Sequence, residues 1–468
     1  MTSPAPHTVV CVDFGSTFTK ASFVDLESGE MIASASHPTT LPGPDGVGDV
    51  LDGFDACLAV LVAQDARAVD AEVLACSSAG GGLRIAVVGN EELVTAEAGR
   101  RVALSSGGKV VAVLSGGLDV QRYADLRDAL PDVVLLVGGT DGGNSSQLIG
   151  DAAFLGAARW SGPVVVAGDV EAHEQVAAAF EESRTPYVLA DNVVPKIGVL
   201  AAGSARAAIR EMFLAHVIGG KHLSRRTDFT AMVKGATPDV VLTGVELLAR
   251  GPGPDLDGNA RPGAGDVVVV DVGGATTDVH SVVEIDPEES GLAREVVATT
   301  AVTRTVEGDL GMRWSAVSTV EAAELPDLEA AAHRLRAHPD YLPHSDDERD
   351  IDEAIARAAI GLALRRHAGR SKVVLSPEGR VVERTGKDLR EIDLLVGSGG
   401  ALRNGAAGVV HRVLLPATGE HAGGWQLPRA PRVVVDHDYV LAAAGLLAGA
   451  HPEAAYGLVQ GLALSVDE

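Results

Sequence analysis

The chain has 468 residues, more than one hydrophobic core usually serves, so we expect two large lobes or about three domains. Apolar residues make up 46% and charged residues 22%, which is ordinary for a globular protein and excludes wholesale disorder. The net charge of −26 would repel phosphate backbones and anionic lipids, so we expect neither nucleic acid nor a membrane surface as a partner.

Cysteine usage and the N-terminal sequence together predict a cytoplasmic location. Cys11, Cys57 and Cys76 form neither a CxxC pair nor a disulfide framework, which is typical of a reducing compartment. No basic region precedes the first apolar run, so we expect no secretory signal. The longest apolar stretches fall short of the roughly 20 residues that span a bilayer.

Short apolar runs, each with glycine at or soon after its end, alternate along the chain with helical stretches such as Ser204–Val217. Most runs are continuously apolar, which is typical of strands buried on both faces of a sheet. The alternation predicts an α/β fold. The predicted strands are His7–Phe14, Val73–Ser77, Val110–Leu114, Val133–Val137, Val164–Ala167, Val267–Val272 and Leu394–Val396.

Two segments rich in turn-forming residues punctuate this pattern. The first, Gly251–Gly265, predicts a boundary that divides the chain into an N-terminal half, 1–262, and a C-terminal half, 263–468. The second, His338–Asp350, contains two prolines and an acidic cluster, and it predicts an exposed loop that leads into a helix over Asp352–His367.

The first candidate site is a hairpin in which an apolar strand ends at Asp13, followed by glycine, hydroxyl residues and Lys20. Backbone N–H groups, hydroxyls and an ammonium in one turn suit a polyphosphate. Asp13 is placed to hold Mg²⁺ through water, and Lys20 to neutralise a phosphate oxygen. An ordinary hairpin with a Gly-Ser turn is the alternative. The candidate contacts are Gly15, Ser16, Thr17, Thr19 and Lys20.

A second hairpin, over Val267–Val279, repeats this design of strand, Asp, glycine turn, threonine pair and acid. Two such turns, each opening one half of the chain, indicate an internal duplication with two phosphate-binding hairpins that face each other across a cleft. Asp271 is expected to hold Mg²⁺ or to orient an attacking water. The other candidate contacts are Gly273, Gly274, Thr276, Thr277 and Asp278.

Glycines also follow the predicted strand Leu394–Val396. The absent side chains at Gly397, Gly399 and Gly400, with Ser398 among them, would let an adenine and ribose lie against the backbone. The spacing is not GxGxxG, which disfavours a Rossmann site, and the chain has no GxxxxGK[ST] P-loop. The small-residue helix that follows in Asp436–Leu447 would let a helix from the other half pack closely.

The loop Gly138–Asn144 has two interpretations that the sequence leaves open. It follows a predicted strand and contains four glycines and an acid, which suits an anion or nucleotide contact. A tight turn packed under an inserted part of the first half is the alternative.

The order of these motifs resembles the superfamily of actin, sugar kinases and heat-shock chaperone ATPases. That resemblance implies an α/β fold with two duplicated ribonuclease-H-like lobes flanking a nucleotide cleft, an inserted α/β region at about 75–190 in the first half, and ATP and Mg²⁺ as cofactors. Within the superfamily the chain resembles the MutL (GlmL) family of glutamate mutase accessory proteins, which is unrelated to the DNA-repair protein of that name. This likeness covers nearly the whole chain and rests on segments that include DFGSTFTKAS at Asp13–Ser22, LLVGGTDGGN at Leu135–Asn144, RTVEGDLGMR at Arg304–Arg313 and DYVLAAAGLL at Asp438–Leu447.

The family resemblance implies an ATP-dependent, chaperone-like reactivating protein for an adenosylcobalamin-dependent carbon-skeleton mutase such as glutamate (methylaspartate) mutase. The chain would then be an ATPase and accessory factor, not a mutase, and its partners would be the mutase subunits. Any cobalamin belongs to the partner, because the sequence has no Asp-x-His-x-x-Gly segment. A small-molecule kinase and a nucleotide-sensing scaffold without turnover stay open as alternatives. The oligomeric state is also open, with a homodimer among the arrangements considered.

Overall fold

The computed structural model describes residues 7–43, 48–254, 261–284, 300–376, 379–421 and 423–464. Residues 255–260 of the predicted linker lie outside these ranges. The strands are β1 (Thr8–Phe14), β2 (Phe18–Asp25), β3 (Met31–Pro38), β4 (Glu72–Ser77), β5 (Leu83–Gly89), β6 (Gly108–Ser115), β7 (Val133–Leu136), β8 (Val164–Val166), β9 (Tyr187–Leu189), β10 (Val233–Ala236), β11 (Val267–Val272), β12 (Thr277–Val282), β13 (Val302–Glu307), β14 (Arg370–Ser376), β15 (Gly379–Thr385), β16 (Leu394–Ser398) and β17 (Arg432–Val435).

Helices separate most of these strands, so the α/β class predicted from the sequence is confirmed. The α-helices are α1 (Val50–Gln64), α2 (Glu97–Ser105), α3 (Val120–Asp128), α4 (Ser146–Ala157), α5 (His173–Ser183), α6 (Gly203–Met212), α7 (Ile218–Gly220), α8 (Asp228–Met232), α9 (Thr237–Arg250), α10 (Ala316–Ala322), α11 (Glu329–Ala337), α12 (Asp346–His367), α13 (Gly400–Arg403), α14 (Val440–Leu447) and α15 (Pro452–Leu464). Each predicted strand coincides with an observed one to within a few residues at either end.

Helix α12 begins at Asp346, earlier than the predicted start at Asp352, so the prediction of an exposed loop over the acidic cluster was wrong. The hydroxyl oxygen of Ser345 accepts the N–H of Glu348 at 3.3 Å, and the Glu348 carboxylate accepts the N–H of Ser345 at 3.2 Å. This capping box, together with acidic side chains at the positive end of the helix dipole, stabilises an additional helical turn.

The chain forms two compact units. The first consists of Met1–Ala79, Val240–Arg294 and Ala301–Glu468, and the second of Gly80–Asp239 with Glu295–Thr300. Most of the second unit lies in the first half of the chain, and it extends beyond residue 190, where the predicted insertion ends. The predicted division into lobes at 262/263 stays a prediction.

Two sheets of the first unit have the same arrangement. In one, β1 pairs antiparallel with β2, β2 pairs antiparallel with β3, and β4 runs parallel to β1. In the other, β11 pairs antiparallel with β12, β12 with β13, and β16 runs parallel to β11 with β17 beyond it. This repeated order of three antiparallel strands and a parallel fourth is the internal duplication that the two hairpins predicted, with the ribonuclease-H-like arrangement that the superfamily resemblance implied.

Both sheets contribute to one hydrophobic core, which includes Val9 of β1, Leu74 of β4, Val267 of β11 and Val396 of β16. Apolar residues of α9, α14 and α15 complete it. Because this core contains residues from both halves of the chain, the two sheets belong to the same compact unit.

Helices α9 and α14 approach each other through two glycines. A Cβ atom at Gly445 would overlap the carbonyl oxygen of Val240, and one at Gly244 would overlap that of Leu441. No side chain fits at either position, so the two helix backbones are in direct contact. The prediction that the small-residue face of α14 packs against a helix from the first half is confirmed.

The second unit contains a parallel sheet with the strand order β6-β5-β7-β8-β9. Strands β7 and β8 are buried along their whole length, which explains their continuously apolar sequences. The Gly138–Asn144 loop follows β7 as a closed turn, in which the N–H of Gly143 donates to the Thr140 carbonyl at 2.8 Å. The amide of Asn192 donates to the Gly139 carbonyl at 3.1 Å and to the Asp141 carboxylate at 2.9 Å. These contacts favour the tight-turn interpretation.

The three cysteines are buried and form no disulfide, as the sequence predicted. Burial raises the pKa of Cys11 to about 12 and that of Cys57 to about 11, so these thiols stay protonated near neutral pH. Among the described helices, none combines the length and apolar character needed to cross a bilayer.

The helix crossing makes a stability prediction. Gly445→Ala should destabilise the protein by about 3 kcal/mol, because the added methyl group overlaps a backbone carbonyl that cannot move without separating the helices. The matched control is Gly461→Ala, since Gly461 lies inside α15 and its Cβ would meet no atom within 4 Å. There we expect unchanged or slightly higher stability. Thermal unfolding followed by circular dichroism measures both, and equal midpoints would contradict the close crossing.

Candidate functional site

The first hairpin turn is closed by a backbone hydrogen bond from the N–H of Gly15 to the carbonyl of Phe18 at 3.2 Å. A Cβ atom at Gly15 would lie 2.6 Å from that carbonyl oxygen, so the turn requires glycine. Asp13 and Lys20 are opposite each other in the register of β1 and β2. The Lys20 ammonium lies 3.5 Å from the Asp13 carboxylate. The pair therefore stands at the base of the turn.

The second turn has the same construction. The N–H of Gly273 donates to the carbonyl of Thr276 at 2.9 Å, and Asp271 is opposite Asp278 in the register of β11 and β12. Asp271 thus corresponds to Asp13, while Asp278 takes the position that Lys20 occupies in the first turn. The duplicated hairpins share their geometry and differ in charge.

The two turns are in contact within the first unit. A Cβ atom at Gly274 would lie 2.5 Å from the hydroxyl oxygen of Thr17. That hydroxyl is buried and has no hydrogen-bond partner among the described residues. A buried hydroxyl without a partner carries a free-energy cost that a bound ligand can relieve. Gly274 and the Thr17 hydroxyl therefore lie together where the two hairpins meet.

Charges around Lys20 dominate the electrostatics of the site. Burial alone would lower the pKa of Lys20, but the negative charges of Asp13 and Asp271 and the side chain of Tyr439 hold this pKa above its ordinary value. Burial raises the pKa of Asp271, and the carboxylates of Asp278 and Asp13 add to this rise. Lys20 and a hydrogen bond from Ser398 oppose it. The site is thus richer in carboxylates than in cations.

Asp436 adds a further buried carboxylate. Its oxygens accept the N–H groups of Val440 at 3.0 Å and Leu441 at 3.4 Å, so it caps helix α14. Burial raises the pKa of Asp436 to about 6, and the negative charges of Asp271 and Asp438 act in the same direction, against the two N–H groups.

Asp278 is neutralised by a residue that the sequence analysis did not identify. The buried guanidinium of Arg304 donates to the Asp278 carboxylate at 2.6 and 3.1 Å. The Thr276 hydroxyl donates to the same carboxylate at 3.1 Å. Arg304 is on β13, where it is opposite His280 of β12. Only the pairing of β12 with β13 brings Arg304 to Asp278.

Three predicted contacts are oriented away from the turns. Thr19 and Thr277 occupy equivalent positions and are completely buried, because side chains along a strand alternate between faces. The Thr19 hydroxyl lies 3.3 Å from that of Thr39 and supports the turn from behind. A Cβ atom at Gly397 would lie 2.7 Å from the side chain of Leu402, so this glycine serves internal packing. The prediction that these three contact a nucleotide needs correction.

Ser398, Gly399 and Gly400 lie beside the second turn. Ser398 is opposite Asp271 in the register of β11 and β16. Gly399 has φ +115°, and a Cβ atom there would overlap the carbonyl oxygen of Val272. Only glycine allows β16 to approach the end of β11 this closely before α13 begins. Ser16 is exposed at the tip of the first turn.

An aromatic ring, missed in the sequence analysis, completes the site. The Lys20 ammonium lies 3.9 Å from the centroid of the Tyr439 ring, and the Arg403 guanidinium carbon lies 4.9 Å from it. Both distances are within the range of cation–π attraction. The signal available in the sequence was the position of Arg403 just after the glycine loop and of Tyr439 just before the small-residue helix.

The donor set fits Mg²⁺ held together with a polyphosphate. Within the described residues no three His, Cys, Asp or Glu side chains are grouped so as to hold a metal by themselves. Mg²⁺ normally takes one or two carboxylates and completes its shell with water and phosphate oxygens. Asp13 and Asp271 offer such carboxylates. Burial, followed by the negative charges of Asp278 and Asp13, raises the pKa of Asp271, and a bound cation would oppose both effects.

Sequence comparison agrees with the motifs. A sequence profile of the family described as "MutL protein" matches residues 9–462. A curated relative, "Protein MutL" from Clostridium tetanomorphum, is 34% identical over 468 residues, which cover 96% of this chain and 97% of the relative. The chain belongs to the MutL family. This is the glutamate mutase-related MutL, as the resemblance indicated, and not the DNA-repair protein.

Solved structures similar to this MutL-family chain share little sequence with it. A gluconate kinase from Lactobacillus acidophilus is 11% identical, with 99% of this chain and 93% of the kinase covered and a TM-score of 0.34. The ethanolamine utilization protein EutJ from Carboxydothermus hydrogenoformans is 10% identical, with 97% and 91% covered and a TM-score of 0.30. At these scores the fold assignment rests on the strand order of the chain itself.

The buried carboxylate of Asp436 predicts a pH dependence. Its folded-state pKa of about 6 lies above its ordinary value of 3.8, so its contribution to stability is present below about pH 4 and is lost as the pH rises through about 6. Asp436→Asn keeps an oxygen that accepts the Val440 N–H but cannot ionise. The free energy of unfolding of the variant, relative to wild type, should rise by about 3 kcal/mol between about pH 4 and pH 7.

Urea unfolding in EDTA at several pH values measures this difference. It should level off above about pH 7.5, which serves as the internal control. A difference that is constant from pH 4 to pH 7 would contradict the raised pKa.

Proposed function

We propose that this MutL-family protein binds ATP with Mg²⁺, hydrolyses it, and serves as a reactivating accessory factor for an adenosylcobalamin-dependent carbon-skeleton mutase such as glutamate mutase. The proposal that the protein binds and hydrolyses ATP rests on the contact between the two Asp-Gly turns. This contact brings Asp13, Lys20 and Asp271 into one electrostatic cluster. Family membership supports the proposed accessory role for a mutase.

The chain's own groups have complementary tasks in this proposal. Backbone N–H groups of the two turns and the Lys20 ammonium would bind phosphate oxygens, because both are preorganised donors for negative charge. The unpartnered Thr17 hydroxyl would donate to the same ligand. Asp271 would orient the attacking water through its carboxylate. Bound Mg²⁺ would supply positive charge against the phosphate oxygens.

The position of Ser398, Gly399 and Gly400 supports an adenosine contact beside the second turn. A Cβ atom at Gly400 would have only the Tyr439 hydroxyl, at 3.9 Å, within 4 Å, so the first residue of α13 leaves open space. A flat base or sugar can approach the backbone closely where side chains are absent. We therefore assign the polyphosphate to the turns and the nucleoside to this neighbouring loop.

The carboxylates are tested by isosteric substitution. Asp13→Asn and Asp271→Asn should each lower the rate of ATP hydrolysis at least about 100-fold, because each removes a charge that positions the cation or the water. Far-UV circular dichroism should stay unchanged. The control is Asp70→Asn, an exposed aspartate outside the site, which should hydrolyse ATP at the wild-type rate. Wild-type rates in both site variants would rule out this assignment.

The proposed accessory role is tested by measuring ATP hydrolysis with and without purified subunits of a cobalamin-dependent mutase. We expect stimulation by the subunits and recovery of activity in a mutase inactivated by loss of its adenosyl group, since two lobes that close on ATP can pass a rotation to a bound partner. Phosphotransfer to a metabolite without any mutase effect would favour a kinase. Tight ATP binding without turnover would favour a nucleotide-sensing scaffold.

A further inference from the structure

Tyr439 is surrounded by cations from two other elements. The Lys20 ammonium, on β2, lies 3.9 Å from its ring centroid, and the Arg403 guanidinium, at the end of α13, lies 4.9 Å from it. The ring is half-buried, so these attractions are only partly screened by water. Two cations held on one aromatic ring form a positive cluster within an otherwise acidic site.

The backbone of Tyr439 is strained in a way that fixes the ring. Its φ of +55° lies in the left-handed region, which a bulky side chain rarely adopts. The residue stays there because Asp436 binds the N–H groups of Val440 and Leu441 and so sets the start of α14 immediately after it. Strain of this kind persists where the surrounding structure imposes it and is common at functional sites.

Lys20 also pairs with the Asp13 carboxylate. Its ammonium is 3.5 Å from the Asp13 carboxylate, the same group that the proposed function gives to Mg²⁺. A carboxylate that turns towards a cation offers less attraction to an ammonium. The face of an aromatic ring attracts the ammonium whether or not Asp13 is engaged, because that attraction comes from the ring quadrupole.

We propose that Tyr439 is a positioning residue that keeps the Lys20 ammonium at the first turn when the Asp13 carboxylate binds Mg²⁺ instead of the ammonium. This inference rests on the proposed function, since it concerns the delivery of Lys20 to a phosphate. Tyr439 acts through Lys20 and does not itself touch the reacting atoms. Without the ring, the long lysine side chain would be free to leave the turn, and binding would have to order it again.

Calorimetric titration with ATP and Mg²⁺ separates the ring from the hydroxyl. Tyr439→Phe keeps the aromatic face and should bind within about 2-fold of wild type, whereas Tyr439→Leu should bind about 10-fold more weakly. In a Lys20→Gln background, Tyr439→Leu should cause no further loss, because the residue through which it acts is gone. Equal losses in both backgrounds would overturn the proposal.

A second variant distinguishes positioning from a merely structural role. Tyr439→Gly removes the ring and also relieves the left-handed strain. We expect its thermal midpoint to equal or exceed that of Tyr439→Leu, while its ATP affinity falls by the same factor of about 10. Affinity that follows the midpoint across the three variants would contradict the positioning role.

Nuclear magnetic resonance tests the contact without nucleotide. The chain has seven lysines, so labelling their side chains with ¹³C at Cε gives few signals. The ε-methylene protons of Lys20 should be shifted upfield by the ring in wild type and in Tyr439→Phe, and not in Tyr439→Leu. Absence of this shift in wild type would overturn the inference.

The outcomes separate the two proposals. Normal ATP binding by Tyr439→Leu would overturn the positioning role and leave the proposed function intact. Failure of wild type to bind ATP would overturn the proposed function, and the role of Lys20 at a phosphate would fall with it, even if the upfield shift were observed.

Discussion

The direct contact between helices α9 and α14 is the constraint on which the first unit depends. The two helices come from opposite halves of the sequence, and at Gly244 and Gly445 their backbones touch with no side chain between them. Both helices pack into the core that the two sheets share. Backbone contact cannot be adjusted by changing a rotamer, so the spacing of the sheets is set rigidly. The meeting of Thr17 with Gly274, at the ends of β1 and β11, depends on that spacing.

Charge is distributed unevenly over this scaffold. Arg304 neutralises Asp278, whereas Asp13 and Asp271 both depend on Lys20. Burying carboxylates near each other is costly unless a cation offsets them, and one ammonium is a modest offset. A MutL-family protein that retains this arrangement has more negative than positive charge at the place where the hairpins meet. A bound divalent cation would offset such an excess of negative charge.

The sequence predicted the strands, the duplication and the positions of the two aspartates, because these follow from local pattern and from turns that need glycine. It failed where long-range packing decides. The inward orientation of Thr19 and Thr277 follows from strand alternation only after the register is known. Arg304 reaches Asp278 from the neighbouring strand, and Tyr439 contacts Lys20 although the two residues are far apart in the sequence. The helix start at Asp346 was missed because an acidic cluster suits both a solvated loop and a capped first turn.

The difference between the two copies of the hairpin gives the site a direction. Where the first copy has the ammonium of Lys20, the second has the carboxylate of Asp278 held by Arg304. The two hairpins therefore cannot exchange roles, although their strand registers and the hydrogen bonds that close their turns are equivalent. An elongated molecule that carries negative charge at only one end would meet attraction at one hairpin and a neutralised acid at the other. The two hairpins are equivalent in backbone arrangement, and the difference in charge between Lys20 and Asp278 makes the space between them electrostatically asymmetric.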